Sequence, residues 1–192
     1  TTSSGTPSTD MLVHNVTLGT YYCTIQDAID DAGTGGETIE VGTATFSEHI
    51  LINKTGLILK NAASATPIIS GSGTGIVVTI AASNVTLDGF AIRNSGLTPL
   101  DAGIIIGANT GCTVQNNTVT ACASGIGIQG GHDNFVTSNT VSENAYYGVA
   151  VIAGTGNTIN QNNISVNGLD AIALDDASAG GGPVTVGSTG NF

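Results

Sequence analysis

The phrases GGHD at 130–133 and LDD at 174–176 place a histidine and three acids at the ends of two short apolar runs. His132, Asp133, Asp175 and Asp176 are residue types that can hydrolyse a glycosidic bond: one carboxyl group protonates the leaving oxygen and another activates water. Two repeat turns between the runs would separate these groups by about 10 Å. That slightly exceeds the roughly 6.5–9.5 Å of inverting glycosidases, a gap that side-chain reach could close. The simpler reading is that all four are solvated turn residues. A weak cation site is a third, with calcium as its ion, and no other cofactor is expected. The three cysteines (Cys23, Cys112, Cys122) have no zinc-site spacing, and their odd number allows at most one internal bridge.

A second set of residues suits binding rather than bond cleavage. Tyr146 and Tyr147 lead into the run 148–152, and Gln129 ends the run 125–129 facing outward if Ile126 and Ile128 face inward. An exposed tyrosine face suits a sugar ring; packing within the turn is the competing role for each. His132 and Tyr146 fall at opposite ends of their runs, too far apart to cooperate simply. A third surface is a hydroxyl array made by Thr118 and Thr120, Thr140 and Ser142, then Asn163 and Ser165. It resembles an ice-binding face, yet Thr and Ser also simply suit exposed strand positions.

Charge narrows the partners. Fourteen acidic residues stand against three basic ones, Lys54, Lys60 and Arg93, for a net charge of −11. A polyanion would be repelled and no basic cluster anchors phosphates, so nucleic acid is not an expected partner. A polysaccharide or surface glycan is. No stretch approaches the roughly 18 apolar residues of a membrane span. The opening TTSSGTPSTD reads as a linker or a processed terminus, and the acidic, mostly uncharged polar surface points to an extracellular or cell-surface location.

Side chains so scattered need a scaffold to bring them together, and the sequence supplies one by repetition. VQNNTVTACASGIGI (114–128), VTSNTVSENAYYGVAV (136–151) and INQNNISVNGLDAIAL (159–174) align on Asn117, Asn139 and Asn162. The apolar positions then coincide: Val114, Val136 and Ile159; Val119, Val141 and Ile164; Ile126, Val149 and Ile172. Each copy holds short alternating runs separated by Gly or Asn, and alternation turns one face of a strand inward. No copy can bury that face alone, whereas stacked copies bury a continuous column. The recurring Asn tolerates a left-handed turn and, stacked on itself, forms an amide ladder. The expected fold is all-β: a single-stranded parallel β-helix of about six coils of 22–23 residues.

The N-terminal third supplies its end. Ile25, Ala28, Ile29 and Ala32 recur at helical spacing, and Thr24 with Asp27 forms a variant capping box. A short helix over 24–32 would cover the open end of the solenoid. Residues 1–19 read as a linker or first strand and 20–192 as the β-helix domain, with regular coils over 76–186. PVTVGSTGNF adds a strand pair at the far end but no cap, which predicts end-to-end self-association or continuation into further domains.

YYCTIQDAIDDAGTGGETIEVGTATFSEHILINKTGLILKNAA resembles the opening of the pectin-lyase-like right-handed β-helix superfamily: an Ile-Gln-x-Ala-Ile helix, then Gly-x-Thr-Ile-x-Val, then an aromatic residue and Glu. The Asn-centred repeats resemble those of NosD-like periplasmic proteins, surface-layer proteins and polysaccharide-degrading enzymes. The resemblance covers roughly residues 20–186. It implies a right-handed helix and, for members that are enzymes, lyase, hydrolase or epimerase activity on uronate-containing polysaccharides. Their sites lie over the sheet that here comprises 75–80, 103–107, 125–129, 148–152 and 171–175. Outward positions on that face are Val77, Thr79, Ile105, Gly127, Gln129, Ala150, Ile152, Ala173 and Asp175, nearly all uncharged. A pectate-lyase base is Arg or Lys, and after Arg93 the chain has neither, which argues against such a lyase. GGHD and LDD resemble pieces of the polygalacturonase pattern in reverse order, with its Asn-Thr-Asp and Arg-Ile-Lys pieces missing. The expectation is therefore a secreted or cell-surface module for carbohydrate recognition or a structural, adhesive role, without catalysis. A polysaccharide hydrolase or lyase and an ice-binding solenoid stand as alternatives.

Overall fold

The computed structural model describes residues 12–175 and 185–186. It opens with an antiparallel hairpin, β1 (Val13–Asn15) and β2 (Thr20–Tyr22), followed by the helix α1 (Ile25–Asp31). Six coils follow, each giving one strand to each of three parallel sheets. Sheet A takes β3 (Thr38–Val41), β6 (Ile58–Asn61), β9 (Thr86–Asp88), β12 (Thr113–Gln115), β15 (Phe135–Thr137) and β18 (Thr158–Asn160), then β21 (Thr185–Val186). Sheet B takes β4 (Thr45–Phe46), β7 (Ile68–Ser70), β10 (Ala91–Arg93), β13 (Thr118–Thr120), β16 (Thr140–Ser142) and β19 (Asn163–Ser165). Sheet C takes β5 (Ile50–Ile52), β8 (Val78–Ile80), β11 (Ala102–Ile106), β14 (Ser124–Gln129), β17 (Val149–Ile152) and β20 (Ile172–Leu174). The chain thus winds as a right-handed parallel β-helix of about six turns, the hand that parallel crossovers prefer.

The aligned apolar positions are in register as strand partners: Val114↔Val136↔Ile159 in sheet A, Val119↔Val141↔Ile164 in sheet B and Ile126↔Val149↔Ile172 in sheet C. Apart from half-buried Ile172 at the last coil, these side chains are buried and form one continuous core. Gly125 and Gly148 precede the sheet C positions because a Cβ there would collide with Val141 Cγ1 and Ile164 Cγ2. The small residue in each repeat is thus a packing requirement.

The helix cap is present, and its boundary residues do what their types suggest. The Thr24 hydroxyl accepts the Asp27 N–H at 3.1 Å. The Glu48 carboxylate, from the first coil, accepts the N–H groups of Ile25 and Gln26 at 3.1 and 3.0 Å. Ile25, Ala28 and Ile29 are buried against the first strands. The hairpin adds a cover that the sequence reading placed only as a linker or first strand. β1 pairs antiparallel with β3 and closes the first edge of sheet A.

Coil length varies along the chain, and one expectation about the ladder needs correction. Register partners lie 22 and 23 residues apart from Thr113 to Phe135 to Thr158, and 23 apart in sheet B from Thr45 to Ile68 to Ala91. The spacing is 20 residues from Thr38 to Ile58, 28 from there to Thr86, and 27 on to Thr113. The longer coils carry loops at 62–67, 71–77 and 94–101. The left-handed residue is also not the ladder Asn itself but the one before it. Asn116, Ser138 and Gln161 have φ of 54°, 58° and 55°. Asn117, Asn139 and Asn162 instead turn their amides into the interior, where all three are buried.

There each amide bridges two coils. Asn139 Oδ1 accepts the backbone N–H of Asn117 at 3.0 Å, and Asn162 Oδ1 that of Asn139 at 2.9 Å. Asn139 Nδ2 donates to Val114 O, Thr137 O and Asn162 Oδ1. The same device recurs at the other two corners. Cys112, Asn134 and Asn157 line one, and Cys122, Asn144 and Asn167 the other. Both buried cysteines occupy ladder positions and are unbridged, and burial raises both thiol pKa values.

Candidate functional site

The outer face of sheet C has the residues most suited to meeting a ligand. Its central outward column runs Leu51, Thr79, Ile105, Gly127, Ala150, Ala173. Val77, expected on this face, is buried at the bend before β8. Ile105 is nearly buried too: its side chain lies along the sheet over Gly127, where a Cβ would strike its Cδ1. One residue further along the strands is a second outward column of Gln129, Ile152 and Asp175.

Two shallow depressions share this face. One, of about 70 Å³, is bounded by Leu100 and Asp101 of the 94–101 loop and by Gln129, Tyr147 and Ile152. The other, of about 220 Å³, continues from Tyr147, Ala150 and Ile152 to Ala173 and Asp175. Tyr147 belongs to both and is half-buried, as a ring lying along a groove wall would be. The structure therefore brings Tyr147 and Gln129 together. Tyr146 turns away: its hydroxyl donates to Leu97 O at 3.4 Å, tying the turn before β17 to the 94–101 loop. Pro99 and Leu100 of that loop line the smaller depression, and Leu100 is 77% exposed, so this part of the wall is apolar.

The four acid–base candidates separate. Asp175 stands at the rim of the larger depression, where Oδ2 accepts the Ala153 N–H at 2.9 Å. His132 and Asp133 lie past the strand end, on the corner leading from sheet C to sheet A. His132 stacks between Thr110 and Thr155, its Nδ1 lying 2.7 Å from Thr155 Oγ1. Asp133 is exposed, in a left-handed turn with φ of 53°. Neither lines either depression. Asp176 lies outside the described residues.

Among the described residues no group of three His, Cys, Asp or Glu side chains is placed to hold a metal ion. Sequence reasoning missed a third, larger hollow of about 520 Å³ at the corner between sheets A and B. It is lined by Asn61, Thr66, Asp88, Asn116 and Thr118, and opens where the long 62–67 loop gives way to two-residue corners. The Asp88 carboxylate there accepts from Gln115 Nε2 and Asn116 Nδ2, each at 2.8 Å. The step in loop length between coils was the signal for it.

No helix among the described residues is long and apolar enough to cross a membrane. A cell surface glycoprotein of Methanothermus fervidus is 36% identical over 166 residues, which cover 81% of this chain. The match spans 27% of that relative's length. Among solved structures, a pectin methylesterase in complex with a hexasaccharide superposes with a TM-score of 0.58 at 14% identity, covering 90% of this chain and 68% of that one. Pectin methylesterase PemA from Erwinia chrysanthemi gives 0.52 at 13% identity, covering 81% and 63%. At such identities these structures speak for the fold alone. A family model described as a right handed beta helix region matches residues 20–190, and the chain belongs to that family.

Proposed function

We propose that this chain is a non-catalytic β-helix module of a cell-surface protein, recognising a polysaccharide or surface glycan through the outer face of sheet C. The observation that carries the reading is a shallow groove made of two adjoining depressions that share Tyr147, Ala150 and Ile152, with Gln129 on the smaller one. Its floor is apolar and uncharged, with polar groups at its edges, an arrangement suited to the alternating CH faces and hydroxyl rims of sugar rings. The similarity to a cell surface glycoprotein supports the location. The inward ladders and the stacked core support rigidity, which a surface module needs.

The hydrolytic alternative keeps one observation, Asp175 at the rim of the same groove. Its proposed partners His132 and Asp133 lie around the corner, and its own Oδ2 is engaged by a backbone N–H. Affinity electrophoresis through gels containing neutral or uronate-rich polysaccharides tests the proposal. At least one polymer should retard the protein. Tyr147→Ala should weaken that retardation by about 1 kcal/mol or more of binding free energy, and His132→Ala should leave it unchanged. Retardation by no polymer, or retardation indifferent to Tyr147→Ala, overturns the assignment of this face.

A further inference from the structure

Five Asn-x-Ser/Thr triplets begin at Asn15, Asn53, Asn84, Asn116 and Asn163. In a turn-then-strand repeat such triplets arise without any further purpose, so the triplet alone decides nothing. The structure separates them by two properties that N-linked modification requires: an accessible side chain and an amide nitrogen not already committed.

Asn15 fails on both. It is fully buried, its Nδ2 donates to Glu37 Oε2 at 2.6 Å, and its Oδ1 accepts the N–H groups of Thr17 and Leu18. Asn116 is exposed, but its Nδ2 donates to Asp88 Oδ1 at 2.8 Å across the hollow between sheets A and B. Asn53, Asn84 and Asn163 are exposed, and their side-chain amides have no hydrogen-bond partner among the described residues. Asn53 follows β5, and Asn84 stands on the same corner one coil later, since Gly56 and Asn84 immediately precede the connections into paired strands β6 and β9. Asn163 opens β19, an edge strand of sheet B among the described residues, and is exposed.

We infer that Asn53, Asn84 and Asn163 are N-glycan attachment sites of the folded chain and that Asn15 and Asn116 are not. The inference rests on the surface reading above for its setting, because the donor is met on the outer side of a membrane. The donor class is a saccharide joined through its anomeric carbon to a lipid diphosphate. The Asn amide nitrogen forms a bond to that carbon. The carbon–oxygen bond to the diphosphate breaks, the lipid diphosphate leaves with the electron pair, and the amide loses one proton to a base of the transferase. The three sites lie on the corner between sheets C and A and on sheet B. No triplet lies on the outer face of sheet C, so the glycans would flank the groove without covering it.

The test is in vitro glycosylation of the purified, folded chain by an oligosaccharyltransferase and a lipid-linked saccharide, beside five synthetic peptides each spanning one triplet. Peptide mapping by mass spectrometry reads each site. The expected result is all five peptides modified, but glycan in the folded chain only at Asn53, Asn84 and Asn163, with Asn53→Gln removing one of three mass increments. Modification of Asn15 or Asn116 in the folded chain overturns the inference. So does a folded chain that stays bare while the Asn53, Asn84 and Asn163 peptides react. Because the enzyme and donor are supplied, the result does not depend on where the protein resides. A failure here is thus distinct from a failure of the surface reading.

Discussion

Leu57 and Val85 stand in the same inward column as Cys112, Asn134 and Asn157, each one residue before register partners of sheet A. At the next corner, Pro67 and Phe90 stand in line with Asn117, Asn139 and Asn162. Leu57, Val85, Pro67 and Phe90 fill these corners with hydrocarbon, and the later coils fill the same places largely with amides. Glu37 in the first coil is a buried polar exception that accepts from Asn15 Nδ2. Loop length does not separate them: the corner that holds Phe90 and the corner that holds Asn117 are both two residues, and the corners before β6, β9, β15 and β18 are all five. Each corner turns an N–H into the interior between coils, and a buried N–H needs an acceptor. The handover is visible at Phe90, whose N–H is accepted by Asn117 Oδ1 at 3.0 Å. Among the described residues every buried side-chain N and O atom has a partner. The comparison teaches that one continuous apolar core runs through both halves, and that the later coils add a satisfied polar network at their corners.

The most direct way to break the comparison is one substitution made in both halves of a column. Asn139→Leu leaves the Asn117 N–H and the carbonyls of Val114 and Thr137 without the ladder amide. At about 1–3 kcal/mol per orphaned group, a loss of about 4 kcal/mol is expected despite the added hydrocarbon. Phe90→Leu at the equivalent corner should cost only about 1–2 kcal/mol, as a cavity. Denaturant unfolding of the two variants measures both, and equal losses would erase the distinction.

The N-terminal half has its own polar exception, at the cap. Glu48→Ala removes both acceptors from the first turn of α1 and should cost about 2 kcal/mol. Hydrogen exchange should show the loss as faster exchange in α1, with the ladders unaffected.

Tyr22 gives the same half a pH signature. Burial, followed by the 2.5 Å hydrogen bond to Asp31, pushes its hydroxyl up to about 12 from 10.0. The folded chain therefore holds this proton more tightly than the unfolded chain does. Its contribution is fully present below pH 10 and is lost as pH rises toward about 12. Unfolding at a series of alkaline pH values should show that decline, and Tyr22→Phe should flatten it.

The smallest expected effect is in the last described coil. Val166 is 80% exposed with φ of 56°, a conformation that a β-branched residue resists. Val166→Asn should stabilise the chain by about 1 kcal/mol, read as an upward shift of the denaturation midpoint.

The architecture was legible because its signal is periodic. Val114, Val136 and Ile159 repeat at fixed spacing, and period-two alternation around Ile126 assigns inside and outside without any structure. The first ladder was read from Asn117, Asn139 and Asn162; in the same alignment Cys112 falls on Asn134 and Asn157, and Cys122 on Asn144 and Asn167, so the repetition also marks the other two corners. The hairpin β1–β2 was not legible as a cap, because HNVTLGTYY has no strong turn dipeptide and its pairing with β3 is long-range. Nor was the burial of Val77 and Ile105, which depends on how the 94–101 loop and Gly127 shape one face. The grouping of Tyr147 with Gln129 was within reach, since both sit on the same face one coil apart. The separation of His132 from Asp175 was not: a three-residue advance past Gln129 turns the chain around a corner, and spacing counted in coils cannot register that.

The central claim is that the sheet C face binds without cleaving, and it is tested most directly by long incubation with neutral and uronate-rich polysaccharides. Mass spectrometry would read any released oligosaccharides. The account predicts none from any polymer, including one that retards the protein in affinity gels. Saturated or unsaturated products that vanish with Asp175→Asn would contradict it and make this groove an active site.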